Sequence, residues 1–425
     1  MSHKSKNPIK TVTICNRVLS VSSVLDTLFS FIAERHAIHQ RRIAGEAFPW
    51  TDDPVLLKYS FTNVFRVLDR MTQYVLQNVI NEGSQTLEES VFRVILFRFF
   101  SRTSTYELLQ ERLGPLTWRD FDIDVYTGVL REAFEDGVSL YGHAYLMPAP
   151  KLGGGNNYVN HLRLLRLMME EELPKKLEQS NCLRDAYGRI SIFPSMGNFL
   201  GFQLLLDINM IPELSLPENY ALCGPGAQAC LIKIFGPSVR GIEGPALEYL
   251  HQTQNMHFTR LGIPPARRPR VTPNTPPGMS VVDLEHSLCE CEKYSRVMHP
   301  EIRGKRTTIH RNWEPKREPL TNELPRRWIN PAPRKKIRGP PPPVDPTESD
   351  PSYHVSHIVM EEQGSKEDGT LYLIRWLGYG PEEDQWLTEE QLGNAKEVLH
   401  EWRAAKASIA DKVSALQAEM IPMKH

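Results

Sequence analysis

Of 425 residues only six are cysteine, and none stands in a Cys-x-x-Cys pair with partner Cys or His at zinc spacing. Cys15, Cys182, Cys223, Cys230, Cys289 and Cys291 therefore read as small, buried or half-buried reduced thiols, and no metal site is expected. No run of eighteen apolar residues occurs, and Met1 to Lys10 is polar and lysine-bearing without the apolar stretch of a secretory signal. A soluble, intracellular protein with no membrane partner is the expectation. Net charge is nearly absent too, with 50 Lys and Arg against 51 Asp and Glu. That balance is a sum of opposed blocks: residues 301–340 carry twelve Lys and Arg against four acids, and residues 341–425 carry seven against sixteen. A basic segment beside an acidic one points to a polyanion as the partner of the first and a cationic tail as the partner of the second.

What is present in abundance is helical periodicity. From Val21 to about Arg296 apolar residues return every three or four positions, as in Val24, Leu25, Leu28, Phe31 and Ile32, and again in Val64, Phe65, Leu68, Met71 and Val75. Further helices are expected over Glu88–Phe100, Asp124–Phe134, His161–Leu177, Gly197–Ile208, Gly226–Phe235 and Val281–Arg296, with Pro264–Pro277 as an internal loop. The expected fold is mainly α. A disordered start (1–20) leads into one large all-helical domain (21–310), then a basic, Pro-rich linker (311–350) ending in four prolines. Within the linker, Arg334-Lys335-Lys336-Ile337-Arg338 reads as a nuclear import signal, a DNA-phosphate contact or a merely solvated charge run.

Beyond the linker the period changes to two. Residues from Tyr353 and over Thr370–Trp376 read as strands, a short third surrounds Trp386, and Leu392, Ala395, Val398, Leu399 and Trp402 line one face of a closing helix. Val355, Ile358, Leu373, Ile374 and Trp386 are the expected core fillers. The run Tyr353-x-Val355-x-x-Ile358, Tyr372-Leu373-Ile374-Arg375-Trp376-Leu377-Gly378-Tyr379 and Glu382-Glu383-Asp384-Gln385-Trp386 resembles the chromodomain family. The resemblance implies a three-stranded antiparallel sheet with a C-terminal helix over residues 351–408, followed by a tail (409–425). It implies that Tyr353, Trp376 and Tyr379 form an aromatic cage for a methylated ammonium, with Glu383 at its acidic edge. It also implies a methylated histone tail as partner, bound as an added strand, and a nuclear location. Leu387-Thr388 and Ser352 depart from the family's usual residues and bear on which histone mark is chosen.

In the helical region the densest polar groups are Glu34-Arg35-His36 with Arg41-Arg42, Pro49 to Asp53, and Phe61 to Arg70, all expected on helices. Asn63, Arg66 and Arg70 recur at helical spacing on one face, which suits either phosphate and base-edge contacts or a lattice of surface ion pairs. Leu222 to Ala229 is a candidate helix-hairpin-helix element, in which amides near Gly224 and Gly226 cradle a DNA phosphate; an ordinary helix start fits equally.

Taken in order, Glu34–Arg42, Phe61–Arg70, Ser195–Asp207, Gly224–Ala229 and Leu288–Arg296 resemble the helical domain of phage 5-hydroxymethyluracil DNA kinases and the related alpha-glutamyl/putrescinyl thymine pyrophosphorylases. That resemblance implies DNA as a second partner and, if the domain is an enzyme, a base-modifying transferase of the thymine pyrophosphorylase type. Arg35, Arg42, Arg66 and Arg70 then suit a leaving pyrophosphate, and Asn63, Asp69 and Asp207 a base extruded from the duplex. There is no Gly-x-x-x-x-Gly-Lys-Ser/Thr loop for a kinase half, and no cofactor is expected. Two other readings stay open: a non-catalytic chromatin adaptor, and a reader captured from a retrotransposon integrase.

Overall fold

A computed structural model describes residues 8–142, 146–309, 320, 322–331, 353–364, 369–393 and 395–419. The chain opens with a hairpin, β1 (Thr11–Ile14) and β2 (Arg17–Ser20), then α1 (Val24–Ile43), α2 (Pro54–Lys58) and α3 (Arg70–Tyr74). A helical middle follows: α4 (Leu87–Phe100), α5 (Thr103–Leu113), α6 (Ile123–Glu135), α7 (Asn157–Glu170), α8 (Leu173–Glu178), α9 (Leu183–Ser191) and α10 (Asn198–Ile208). Then come α11 (Pro225–Phe235), α12 (Glu243–Arg260), α13 (Val281–Met298), α14 (Arg326–Ile329), β3 (Val355–Gln363), β4 (Thr370–Trp376), β5 (Gln385–Thr388) and α15 (Lys396–Ala418). These form two compact units, each made of two stretches of chain: residues 1–73 with 218–324, and residues 74–217 with 325–425.

In the first unit α1 supplies the apolar centre, burying Val24, Leu25, Leu28, Phe29, Phe31 and Ile32 along one stripe. The hairpin corrects the expected disordered start for residues 11–20. Cys15 and Asn16 both take positive φ, the turn that matches the twist of paired strands, although neither is the glycine that usually marks it. Leu19 is fully buried, and the Arg17 guanidinium donates to the Arg240 carbonyl at 3.0 Å, tying the hairpin down.

The 64–75 stretch is not one helix. It holds a single 3-10 turn at Arg66–Leu68, then α3, then a π-helical run over Val75–Ile80. Leu222–Ala229 is an ordinary helix start: no helix lies between Ile208 and Pro225, so the hairpin form is not built, and Pro225 takes the first helical position where its missing N–H costs nothing.

The second unit is centred on α4, buried throughout from Ser90 to Phe100, where Arg93 and Arg98 are the charged exceptions among mostly apolar side chains. Its small sheet has the antiparallel order β3-β4-β5, with register shifts in β3 near Ser356 and Val359. Ile358, Tyr372, Ile374, Leu392 and Leu399 make its core, with Val355, Ala395, Val398 and Trp402 packed around them. Trp386, expected inside, is 40% exposed because the short β5 turns it outward. α15 continues through the expected tail to Ala418, since its last turns have partners in the same unit. The Arg163 guanidinium donates to the Leu416 carbonyl at 2.9 Å and Gln417 donates to the Lys151 carbonyl at 2.7 Å. α14 falls inside the expected linker, where Arg327 donates to the Pro212 carbonyl at 3.0 Å.

Close packing of α11 on α13 depends on Gly226, where an added Cβ would meet Cys289 Sγ at 2.3 Å. Gly226→Ala should therefore lower stability by about 1–3 kcal/mol through overpacking, with Cys289→Ala in the same chain recovering part of the loss. Denaturant melts of the two variants check this, and an unchanged midpoint for Gly226→Ala would show that the helices part without cost.

Candidate functional site

The first unit contains a small, partly open cleft, with a cavity volume of about 40 Å³, lined by Arg35, Ile38 and Arg42 of α1, by Phe48, Trp50 and Thr51 of the following loop, and by Leu56, Leu57, Tyr59 and Phe61. Positions 35, 38 and 42 fall on one helical face, which is why α1 can present two guanidiniums together. The loop is pinned to the same helix: Arg41 donates to the Trp50 carbonyl and, at 3.1 Å, to Glu34, while the Thr51 hydroxyl donates to Glu34 at 2.8 Å. Asp53 caps α2, accepting from the amides of Val55 and Leu56 at 2.8 and 3.0 Å, and the Tyr294 hydroxyl donates to its other oxygen at 2.6 Å. The aromatic wall is thus fixed from two sides.

The Arg42 guanidinium lies 5.0 Å from the Trp50 ring centroid, and Lys293 Nζ lies 5.6 Å from that of Phe61. Arg35 gives Nε and Nη2 to the Phe61 carbonyl at 3.4 and 3.3 Å, which leaves its buried Nη1 without a partner among the described residues. Burial, then the charge of Arg42, lowers the Arg35 pKa to about 10. The neighbouring histidines carry no charge at neutral pH: burial and Arg35 push His36 to about 4 and His39 to about 3. The positive potential of the cleft therefore comes from its arginines. Flat aromatic walls beside two guanidiniums suit a planar ring that bears an anionic group.

Immediately after Phe61 the chain is held by α13 instead of by its own helical bonds. The Thr62 amide donates to Glu290 at 3.0 Å, and the Thr62 hydroxyl meets His286 Nε2 at 2.8 Å. The Arg66 amide donates to Asp283 at 2.8 Å, and the Ser287 hydroxyl donates to the Val64 carbonyl at 3.3 Å. Asn63 is buried and accepts from the Phe65 amide at 3.2 Å, a local turn bond. Asn63, Arg66 and Arg70 consequently share no helical stripe, contrary to expectation, because tertiary acceptors outbid the i→i−4 ladder; Arg70 is exposed while Asn63 and Arg66 are buried. Arg66 is set among Glu218 and Glu285, where burial raises both carboxyls and its charge offsets part of that rise, and Asp69 acts on Arg35 and His286. Asp207 belongs to the second unit, where it pairs with the buried Arg98 at 3.2 Å.

The Gly224 amide does not face outward for a phosphate. It is buried and donates to the Glu285 carboxylate at 2.9 Å, and Gly226 is spent on helix packing. Arg334, Lys335 and Lys336 lie outside the described residues.

In the second unit the three aromatics at the start and end of the small sheet converge. The Tyr353 ring centroid lies 6.2 Å from that of Trp376 and 5.9 Å from that of Tyr379, at interplanar angles of 65° and 59°. Tyr353 thus stands beside both of the other rings at steep angles, and it is 55% exposed. Glu383 ends the 3-10 turn Pro381–Glu383 and is exposed.

The acids of α13 and the loops against it were missed in the sequence, because nothing in the chain marks which face of α13 is inside. One hydroxyl reveals their protonation. Ser280 Oγ, which accepts from the Asp283 amide at 3.1 Å, is 2.8 Å from Asp283 Oδ2 and 3.1 Å from Glu218 Oε2. It has a single hydrogen, so one carboxyl must bring its own. Burial and then Asp283 raise Glu218 to about 8, making it the acid that holds the proton; burial raises Glu285 to about 7. A carboxyl raised in the folded state contributes stability that is full below its unfolded value, near pH 4.5, and lost as the pH climbs towards 8. Glu218→Gln should therefore flatten the decline in melting temperature across that window. An unaltered slope would assign the proton to another group.

A family model described as "5-hmdU DNA kinase, helical domain" matches residues 22–304, and one described as "Chromo (CHRromatin Organisation MOdifier) domain" matches residues 353–404. Over 230 residues the chain is 27% identical to the 5-hmdU DNA kinase of Bacillus phage SP10, a stretch covering 49% of this chain and 36% of the phage protein. Over 59 residues it is 37% identical to the Chromodomain Y-like protein of Rattus norvegicus, covering 14% of this chain and 10% of that one. The chain thus spans about a third of the first relative's length and about a tenth of the second's. No solved structure matches.

Proposed function

The chain belongs to the family of the 5-hmdU DNA kinase helical domain and carries a chromodomain, and from that premise we propose that it joins a methyl-lysine reader to a module that binds, and in the presence of a donor modifies, a pyrimidine base of DNA on chromatin. The observation that carries the second half is the cleft where Arg35 and Arg42 meet Trp50, Tyr59 and Phe61. A base swung out of the duplex presents a π-face to those rings, and a charged substituent such as a phosphorylated hydroxymethyl group presents an anion to the guanidiniums. Arg35 Nη1, which has no partner among the described residues, is a donor already desolvated, so little further desolvation is needed on pairing it. If a leaving phosphate or pyrophosphate departs there, the same two arginines stabilise the charge that develops on it.

The reader half rests on the convergence of Tyr353, Trp376 and Tyr379. A methylated ammonium is attracted to aromatic faces and no longer needs the water that an ordinary ammonium prefers, each desolvated contact being worth about 1–2 kcal/mol. Such a reader on the same chain raises the local concentration of the base-binding module on marked nucleosomes, a reading that carries with it a nuclear location.

Two titrations test the halves separately. Trp50→Ala and Arg35→Ala should weaken binding to a duplex bearing 5-hydroxymethyluracil or its phosphate ester about tenfold or more, the scale of one lost stacking or charge contact, with binding to plain thymine DNA much less affected. Equal losses on both duplexes would mean general phosphate contact, and no loss on either would overturn the cleft assignment. For the reader, Trp376→Ala should abolish calorimetric binding to methylated histone peptides while the circular dichroism stays that of the wild type; equal affinities would sink the cage.

A further inference from the structure

β4 is buried on both faces. Tyr372 and Ile374 face the small core, whereas Arg375, one residue from Trp376, points the other way and is only 2% exposed. Its guanidinium bridges two carboxylates: it donates to Asp185 of α9 at 2.9 Å, and to both oxygens of Asp384, at 2.9 Å for Oδ2. Arg184, the neighbour of Asp185, reaches the same loop, donating to the Pro381 carbonyl at 3.3 Å and lying 3.5 Å from Asp384. α9 also comes so near β3 that a Cβ on Gly188 would lie 1.8 Å from the Val359 carbonyl oxygen. Asp185 is itself fixed, accepting from the Asn181 amide at 3.0 Å; burial on its own would raise its carboxyl, and Arg375 brings it below the ordinary range.

The residues clamped by this network, Pro381 to Asp384, begin two positions after Tyr379 and include Glu383. We propose that Asp185, with Arg184, is a positioning residue for the aromatic trio: through Arg375 and Asp384, α9 of the helical region fixes the 377–384 loop and thereby sets the affinity for a methylated ammonium. The affinity claim rests on the cage reading above; the positioning claim does not. A buried arginine between two carboxylates is costly unless every partner stays in place, so the loop is held as one piece with α9. The small sheet is then not a reader on a free tether but one whose ligand-facing loop is braced by its neighbour, as binding shells require.

The test uses the full chain carrying Asp185→Asn, followed by amide hydrogen exchange well below its melting temperature. Exchange over residues 377–384 should accelerate at least about tenfold, with the amides of Ile358 and Ile374 in the core of the sheet unchanged. A merely structural role would speed exchange across the whole sheet or in α9 alone, and either pattern overturns the proposal, as does unchanged exchange in the loop. Binding of a trimethyl-lysine histone peptide should weaken about tenfold, the loss of one ring contact, with the weak affinity for the unmethylated peptide unaltered. If wild-type protein binds neither peptide, the cage reading fails while the exchange data still decide the positioning. Should Asp185→Asn not fold, Arg184→Gln at its part-exposed site removes the contacts to Pro381 and Asp384 and must give the same local acceleration, failing which the brace is refuted.

Discussion

The first unit depends on the cost of burying charge along α13. Asp283, Glu285, Glu290 and Glu292 are all inside, and an unpaired buried carboxylate is destabilising by several kcal/mol. Each is met by a group from elsewhere in the chain: the Arg66 amide, the Gly224 amide, the Thr62 amide and the Lys233 ammonium, the last joined by Arg296 of α13 itself. The helix thereby dictates the path of two segments that have little regular structure of their own. Phe61–Arg66 is irregular because its amides are drawn to α13, and the start of α11 is where it is because Gly224 supplies one of the required donors.

That constraint reaches the cleft. Phe61 sits where the α13-bound strand of chain begins, and its carbonyl takes two of the donors of Arg35. With that carbonyl fixed, Arg35 keeps Nη1 and the second hydrogen of Nη2 for other acceptors. Burial keeps His36 and His39 neutral, so charge in the cleft is concentrated on guanidiniums, which stay protonated through the neutral range even with Arg35 lowered to about 10. An anion site made this way keeps its charge between pH 5 and 8, where one built from imidazoles would lose it.

The second unit shows the same logic with different partners. A three-stranded sheet and one helix make a small core, and small cores are marginal alone. Here the reverse face of β4 is buried too, with Arg375 as its polar anchor, and the long α15 is tied at its end to the loop after α6 and to α7. A short module gains rigidity from such contacts at the segment that carries its candidate ligand residues.

Much of this was legible in the chain. The 3.6-residue period placed α4, α6, α10, α11 and α13 within a residue or two, because burial of an apolar stripe is a local property of sequence. The change to period two located all three strands of the small sheet, and the resemblance of motifs to known families pointed to Tyr353, Trp376 and Tyr379, as well as to Arg35 and Arg42. What tertiary structure alone decided were the choices made between distant polar groups. Asn63, Arg66 and Arg70 have helical spacing, yet acceptors more than two hundred residues away take the amides that a helix would need. Asp207 has the chemistry of a pocket residue, yet Arg98 claims it, and the amide of Gly224 is claimed by Glu285. Hydrophobic burial is written in a residue's near neighbours; the partner of a buried charge is fixed only when the whole chain has closed around it.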